Sequence, residues 1–339
     1  MNKLDYGVLD RPITNADIVE FKQNNRNVHW ILASYVPAQV ASMVVVASFM
    51  TMVVPVGVKI STETGVLVFM FGVTAASIAA GLYVWARQGR EHVLLDKFAR
   101  TNGAAYSCNT KDPDMTAMLF DVGHKPVLKD SITFENGMQI GAFKFLTGSG
   151  KSQRAYHRVF ASIPLSRQLP HMVLDASKNN NILIATTNLP GALDKKQRLS
   201  LEGDFDKYFT LYVPQEYETD ALYIFTPDVM QAALENGGAY DMEVIDDRLY
   251  IYKKMNYGLA KPKVIKSLLD IIDNVGQEFA YQGRYYVDAR AGSKTKNTIA
   301  GQGQRLKMKQ VIAPLIITLV VGLAWAGWFI FSIINSYSR

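Results

Sequence analysis

The chain has 339 residues, with 36 Lys and Arg against 30 Asp and Glu, a net charge of +6, and 49% hydrophobic residues. This length fits one domain of ordinary size with additional segments, and the single cysteine excludes an intrachain disulfide. Many basic residues flank hydrophobic runs, so we expect no nucleic-acid partner, and the lack of disulfides favours a reducing, cytoplasmic location.

Three long uncharged runs predict transmembrane helices over 30–58, 64–86 and 310–333. Each run reaches the ~20 predominantly apolar residues that a helix needs to cross the hydrocarbon core of a bilayer. No run contains an ionisable residue, which argues against an ion or proton pathway. We therefore expect the runs to act as anchors, with the lipid bilayer and its anionic headgroups as partners.

Basic residues determine the predicted orientation. They are frequent in the N-terminal tail (1–29) and at both ends of the central region, whereas the loop at 59–63 carries only Lys59. The positive-inside rule then places the tail and the central region in the cytoplasm, and the loop and residues 334–339 outside. The sequence thus predicts a protein of the bacterial inner (cytoplasmic) membrane with a cytoplasmic domain.

Composition divides the central region into three parts. Residues 87–103 continue the second run as an amphipathic helix, and we interpret them as a helical stalk. Residues 104–290 have the mixed pattern of a folded domain. Residues 291–309 are rich in Gly, Ser, Lys and Asn, which predicts a flexible basic linker.

Alternating hydrophobic residues predict antiparallel strands within the domain. Two of them, 139–146 and 154–163, are joined by a glycine-rich turn at 148–152. This turn lacks the preceding glycine and the following helix of a phosphate-binding loop. A short apolar run at 118–122 predicts a further strand.

A helix is predicted from Pro262, with apolar residues at helical spacing and an interruption at Gly276. Helices and strands are interleaved without the regular alternation of a parallel sheet. The predicted fold class is α+β: a cytoplasmic domain of largely antiparallel strands with two or more packed helices, plus three transmembrane α-helices.

The segment 199–235 has the most distinctive pattern. β-rich runs at 208–213 and 222–225 predict two strands. Thr226 as N-cap and Pro227 at the first helical position predict the start of a helix, which Gly237 ends.

The aromatic strand, the loop and the Thr-Pro helix start of this segment together resemble the core motif of a family. The residues that carry the resemblance are Phe205, Phe209, Val213, Ala221, Phe225, Thr226, Pro227 and Met230. The family consists of uncharacterised bacterial membrane-anchored proteins with a cytoplasmic domain of unknown function. The third hydrophobic run departs from its simpler members. Since the family has no established activity, the resemblance implies a fold and an anchored domain but no active site.

Two histidines and an aspartate are candidates for acid–base chemistry. His157 shares one face of a predicted strand with Val159 and Ile163, which favours a sheet histidine over a catalytic one. His171 and Asp175 lie four residues apart, and in an extended segment they share a face by a period of two. A hydrolase acting through these residues is therefore an alternative hypothesis.

Acidic residues around position 204 are candidates for cation binding. Asp204 and Asp206 alternate with Glu202, but the remaining ligands of a helix-loop-helix calcium site are missing, which favours solvated turn residues. The histidines and the cysteine form no cluster with zinc spacing. The sequence therefore predicts neither a metal nor a cofactor.

Tyrosines offer a different function, because tyrosine is enriched where proteins contact each other. The candidates for a partner surface are Tyr208, Tyr212, Tyr217, Tyr223, Tyr250, Tyr252, Tyr285 and Tyr286. We expect a membrane-anchored, non-enzymatic interaction or envelope-assembly component that binds a protein partner or further copies of itself. The alternatives are a membrane-associated hydrolase and an accessory subunit of a transport or secretion complex.

Overall fold

The described residues form one nine-stranded antiparallel sheet in the computed structural model, which describes residues 4–25, 89–179, 193–255, 258–292 and 297–308. The strands are β1 (Ala104–Lys111), β2 (His124–Phe134), β3 (Gln139–Thr147), β4 (Arg154–Pro164), β5 (Met172–Ala176), β6 (Arg198–Leu199), β7 (Phe209–Tyr212), β8 (Asp241–Ile245) and β9 (Arg248–Lys254). Their spatial order is β1-β2-β3-β4-β9-β8-β5-β7-β6, with antiparallel neighbours throughout. The hairpin of β8 and β9 therefore lies between β4 and β5.

Along the chain, the helices lie before β1 and after β7. They are α1 (Asn15–Asn24), α2 (89–101), α3 (Glu218–Ile224), α4 (Pro227–Ala232), α5 (Pro262–Ile271), α6 (Gln277–Gly283) and α7 (Gly301–Gln304). A π-helical turn, Ile272–Gly276, joins α5 to α6. These three elements make one continuous helix over 262–283.

One face of the sheet is covered by α2 to α6. The helical spacing predicted from Pro262 is confirmed, since Ile265, Leu268, Leu269 and Ile272 are at most 1% exposed. Full burial of such a side chain contributes about 1.5–3 kcal/mol. These residues share one core cluster with apolar side chains of α2 and of the strands. Packing on the sheet therefore stabilises helices that would be only marginally stable in isolation.

Gly276 of the long helix lies against Ile163 of β4. A Cβ atom at this position would lie 2.3 Å from Cδ1 of Ile163, which is shorter than any normal contact. The predicted interruption of the helix at this residue takes the form of the π-helical turn, which leaves the helix continuous. Only a residue without a side chain allows this approach.

The substitution Gly276→Ala is expected to lower the free energy of unfolding by about 1–3 kcal/mol, because the added methyl group overpacks the core. Urea denaturation measures the change. Gly301→Ala is the matched control, since a Cβ atom there would meet nothing within 4 Å. An equal effect of the two substitutions would contradict the close approach.

The opposite face of the sheet, called the second face, is covered by the loop 112–123 and by the end of the C-terminal segment 297–308, where Leu306 clusters with Met118 and Val173. Phe120 of the loop packs against three rings of the sheet, with centroids 4.7 Å from Phe143, 5.3 Å from Phe160 and 5.8 Å from Tyr250. The run 118–122, predicted as a strand, is a turn that inserts single side chains into this aromatic cluster. That strand prediction is wrong because packing of Phe120 outweighs the local pattern.

The N-terminal segment 4–25 packs against α2. A capping box at Thr14 starts α1, and Nζ of Lys97 donates to Oδ2 of Asp17 at 2.9 Å. The backbone N–H of Thr14, followed by Lys97, lowers the pKa of Asp17 to about 2. This part of the predicted N-terminal tail is therefore attached to the domain.

The fold class needs a correction. Within the residues that the structure describes, no helix combines the length and apolar character needed to cross a membrane. The longest of these helices, 262–283, has charged residues on its exposed side: Lys263, Lys266, Asp270 and Asp273. Only one of its faces is apolar, because only one face packs on the sheet. The predicted combination of an α+β domain with three transmembrane helices is therefore wrong for this structure, and the described residues do not support the classification as an integral membrane protein. The three runs themselves, 30–58, 64–86 and 310–333, lie outside the described residues.

The strand predicted at 222–225 is also wrong, because these residues belong to α3 and its C-cap. Ala221 and Ile224 lie three residues apart and are both fully buried, which matches a helical face and not a strand. Glu218 and Asp220 in the first turn stabilise the positive end of the helix. Helical packing and terminal charges thus outweigh the β propensity of Tyr223 and Phe225.

Candidate functional site

A histidine and a glutamate meet on the second face, between β5 and β8. His171 immediately precedes β5, and Glu243 is the central residue of β8, where it lies opposite Val173 of β5. The two side chains are buried, with His171 2% and Glu243 0% exposed. Nε2 of His171 lies 3.0 Å from Oε1 of Glu243. The sheet therefore holds an acid–base pair in its interior.

Both ring nitrogens of His171 have partners in the protein. The backbone N–H of Leu306 donates to Nδ1 of His171 at 3.0 Å. Because a backbone N–H can only donate, Nδ1 is the acceptor and the ring proton lies on Nε2, where it is donated to Glu243. The contacts therefore specify a neutral imidazole, and they join the C-terminal segment to the sheet.

Glu243 accepts hydrogen bonds from two further elements. The backbone N–H of Met118 donates to its two oxygens, at 2.8 and 3.1 Å, and the hydroxyl of Tyr252 donates to Oε2 at 3.3 Å. Burial, followed by the charge of Glu243, raises the pKa of Tyr252 well above its usual value, so the hydroxyl keeps its proton. A general base needs an atom within reach of a substrate proton. Glu243 is enclosed by donors and Nδ1 of His171 is occupied, so the pair orders the loop and the C-terminal segment instead.

His171 also lines a half-open cavity of about 500 Å³. The cavity is bounded by the loop 112–123, the end of β8 and the C-terminal segment. Its apolar lining residues are Met118, Val122, Ile245, Leu306 and Met308. Its volume falls in the range of about 300–1,000 Å³ that is usual for ligand pockets.

Gly123 shapes one wall of this cavity. Its φ of +74° is in the left-handed region, and a Cβ atom would lie 2.2 Å from the carbonyl oxygen of Leu146. Glycine therefore lets the loop turn sharply against β3. The turn keeps Asp121 and Val122 at the cavity.

The mouth of the cavity carries an excess of negative charge. Two nitrogens of Arg305 donate to the two carboxylate oxygens of Asp246, at 2.8 and 3.0 Å, and these bonds raise the pKa of Arg305. Asp121 is exposed at the same mouth, and among the described side chains no ion pair includes it. Arg305 is thus neutralised by Asp246, while the carboxylate of Asp121 faces solvent.

The structure separates the remaining predicted residues from the cavity. His157 is exposed near the start of β4, opposite Lys144 of β3. Partial burial, followed by Lys144 and Lys129, lowers the pKa of His157, which favours its neutral form. Its position on the face of Val159 agrees with the expected sheet histidine.

Asp204 and Asp206 have local structural roles. Asp204 forms an exposed ion pair of 2.7 Å with Lys207. Asp206 accepts a hydrogen bond from the hydroxyl of Ser200 and another, at 3.1 Å, from the backbone N–H of Leu201. These contacts hold the turn before β7. Within the described ranges, no group of three His, Cys, Asp or Glu side chains is placed to hold a metal ion.

Asp175 is buried in β5 and belongs to a second group of charges on the second face. The pairing of Leu174 with Met242 places Asp175 beside Asp241, whose Oδ1 accepts from the backbone N–H of Ala176 at 3.0 Å. Burial lowers the pKa of Arg158, whereas the negative charge of Asp241 acts in the opposite direction. Asp175 thus shares a strand with His171 but has different surroundings.

Sequence reasoning missed Glu243 and a third polar cluster around His92. Nδ1 of His92 lies 2.8 Å from both Oη of Tyr106 and Oδ1 of Asp130. Burial alone would raise the pKa of Asp130, but the hydrogen bond and charge of His92 lower it. The adjacent Cys108 is a poor nucleophile, since burial raises its pKa to about 11. One signal for Glu243 was present: an acid within an apolar strand needs a buried partner.

Comparisons with known proteins add little. No protein-family model matches the sequence, and no curated protein matches it. The chain is similar to the crystal structure of the mycobacterial trehalose monomycolate transport factor A, TtfA, with 8% identity and a TM-score of 0.34. That alignment covers 52% of this chain and 92% of the other chain. A similarity at this TM-score supports no argument about fold or function.

Proposed function

We propose that the protein is a non-enzymatic interaction protein whose cavity takes an apolar side chain of a partner protein, next to a basic residue of the same partner. The observation that supports this function most is that the basic side chains of the cavity wall already have hydrogen-bond partners within the protein. The two ring nitrogens of His171 and the guanidinium of Arg305 are already hydrogen-bonded within the protein. The wall therefore offers apolar surface and shape in place of an acid–base group.

The apolar part of the wall suits a side chain of variable shape. Met118 and Met308 are unbranched and polarizable, so they adapt to different apolar groups. Met308 is 50% exposed, and burial of its free surface would contribute to binding. An aliphatic or methionine side chain of a partner thus fits this wall.

The negative charge at the mouth of the cavity favours a basic residue of the partner next to the apolar side chain that enters the cavity. At this mouth, Asp121 takes part in no ion pair among the described side chains, whereas Asp246 is neutralised by Arg305. A lysine or arginine of the partner would complement Asp121. Such an exposed pair contributes only about 0.2–1 kcal/mol, so it adds specificity more than affinity.

A random peptide library displayed on phage, selected on the full chain, tests this function. We expect enriched peptides to share an apolar residue beside a lysine or arginine. Val122→Trp fills the cavity and should weaken binding of a selected peptide at least about tenfold. Asp121→Arg should weaken it about fivefold, and less at high salt. Isothermal titration calorimetry measures both changes.

Tyr208→Ala is the matched control, because Tyr208 is 55% exposed and does not line the cavity. Its affinity for the selected peptides should equal that of the original chain. The proposed function fails if no shared sequence is enriched, or if Val122→Trp binds the peptides as tightly as the original chain.

A further inference from the structure

The C-terminal part of the long helix exposes an aromatic stripe. Tyr281 on α6 is 58% exposed and Tyr285 in the following turn is 70% exposed. Glu278, Tyr281 and Arg284 follow at a spacing of three residues, and Arg284 still has helical backbone angles. Residues three apart are neighbours on a helix surface. The stripe therefore runs from an acid, across a tyrosine, to a base.

The two tyrosines and the arginine form a contiguous surface. The guanidinium of Arg284 lies 4.4 Å from the ring centroid of Tyr281 and 4.9 Å from that of Tyr285. The positive guanidinium is attracted to the faces of the two rings. Tyrosine and arginine, with tryptophan, are enriched near the centres of protein interfaces.

The charges at the two ends of the stripe have no salt-bridge partner among the residues that the structure describes. Arg284 is exposed and Glu278 is half-buried, and neither takes part in an ion pair there. The ends thus carry opposite charges, each three residues from Tyr281 along the helix. A copy of the same stripe, turned end to end, presents the complementary charge at each position.

We propose that the chain forms a two-fold symmetric dimer in which α6 packs antiparallel against α6 of a second copy. Tyr281 lies next to the symmetry axis and packs on its own counterpart. Glu278 of each copy pairs with Arg284 of the other. A two-fold interface uses the same patch on both subunits, so the patch must be complementary to itself. This stripe meets that requirement.

Neighbouring apolar side chains extend the surface. α3 packs beside α6, since the rings of Phe225 and Phe279 lie 5.3 Å apart at nearly right angles. On α3, Leu222 and Tyr223 are each 50% exposed, and after α6 Val287 is 38% exposed. An interface centred on Tyr281 would cover this apolar rim from both copies. A specific interface buries about 800 Å² on each partner, which requires more than the stripe alone.

Charge reversal tests the dimer. The original full chain is expected to show twice its 37.8 kDa in size-exclusion chromatography with light scattering. Glu278→Arg places two arginines against each other, and Arg284→Glu places two glutamates against each other. Each variant alone should therefore have the mass of a monomer.

An equimolar mixture of the two charge-reversed variants should recover the dimer mass. In the mixed pair, both arginines of one chain meet both glutamates of the other. A monomeric original chain overturns the proposal, as does a dimer that survives either single reversal. Failure of the mixture to associate also overturns it. Binding of a different protein to the stripe by a monomeric chain would be the competing outcome.

A disulfide cross-link tests the axis independently of affinity. The native Cys108 is 9% exposed, so one engineered cysteine on the surface reports its own contacts. Tyr281→Cys should form a covalent dimer under mild oxidation, because the position faces itself across the axis. Tyr208→Cys, of similar exposure, should stay monomeric under the same conditions. Equal cross-linking of the two variants would contradict the proposed axis.

Discussion

Replacing Glu243 with leucine is expected to lower the free energy of unfolding by about 3–5 kcal/mol. The substitution removes the acceptor for three donors: the backbone N–H of Met118, Nε2 of His171 and the hydroxyl of Tyr252. Each buried donor left without an acceptor costs about 1–3 kcal/mol. Leucine has a similar volume, so the change measures the lost hydrogen bonds more than a cavity. Urea denaturation followed by circular dichroism gives the difference in unfolding free energy.

Glu202→Leu is the control for this substitution. Glu202 is exposed, and a surface substitution usually changes the free energy of unfolding by less than about 0.5 kcal/mol. Glu243→Gln keeps one acceptor oxygen but adds an amide that donates, so it should fall between the control and the leucine variant. If Glu243→Leu were as stable as the control, the three hydrogen bonds would contribute little, which would contradict their structural role.

The sequence correctly predicted those elements in which the periodic hydrophobic residues are also the buried ones. Ile265, Leu268 and Ile272 follow one helical face, and that face is buried on the sheet. The glycine-rich turn at 148–152 separates β3 from β4, and the predicted hairpin forms there. Local pattern decides such elements because the same side chains both set the period and fill the core.

The sequence could not predict elements whose conformation depends on distant residues. Residues 222–225 have β propensity, yet they form a helix because Ala221 and Ile224 are buried in the core on one helical face. Phe120 enters an aromatic cluster made by β3, β4 and β9, which local sequence cannot foresee. In both places, long-range packing outweighs propensity.

The candidate site shows the same division. His171 could be selected from the sequence as one of few histidines, but its partners Glu243 and Leu306 lie 72 and 135 residues away. The cavity also needs the loop 112–123 and the segment 297–308, which are distant in sequence and meet only in the folded chain. Sequence spacing therefore identified one residue of the wall, and the fold supplied the others.

Asp288→Ala is expected to lower the free energy of unfolding by about 2–4 kcal/mol. Asp288 is 2% exposed and connects the end of the long helix to both α3 and the C-terminal segment. Its Oδ2 accepts from the hydroxyl of Tyr217 at 2.7 Å and from the backbone N–H of Ala300 at 2.8 Å. Its Oδ1 accepts from the backbone N–H of Arg290 at 2.9 Å. Alanine leaves these donors without an acceptor and removes the anion beside Arg290.

Asp288 should also make the free energy of unfolding depend on pH in the acidic range. Burial alone would raise the pKa of Asp288, but the donors of Ala300, Tyr217 and Arg290 lower it below the usual value. A carboxyl group whose pKa is lower in the folded state contributes stability fully above its unfolded pKa of about 3.9, and loses that contribution as pH falls through the folded pKa. The difference in unfolding free energy between the original chain and Asp288→Asn should thus be constant from pH 7 to about 5 and shrink below about 4. Asp114→Ala, at an exposed position, is the control and should leave the pH profile unchanged. A difference that grows toward low pH would reverse the sign and contradict the ionised, hydrogen-bonded carboxylate.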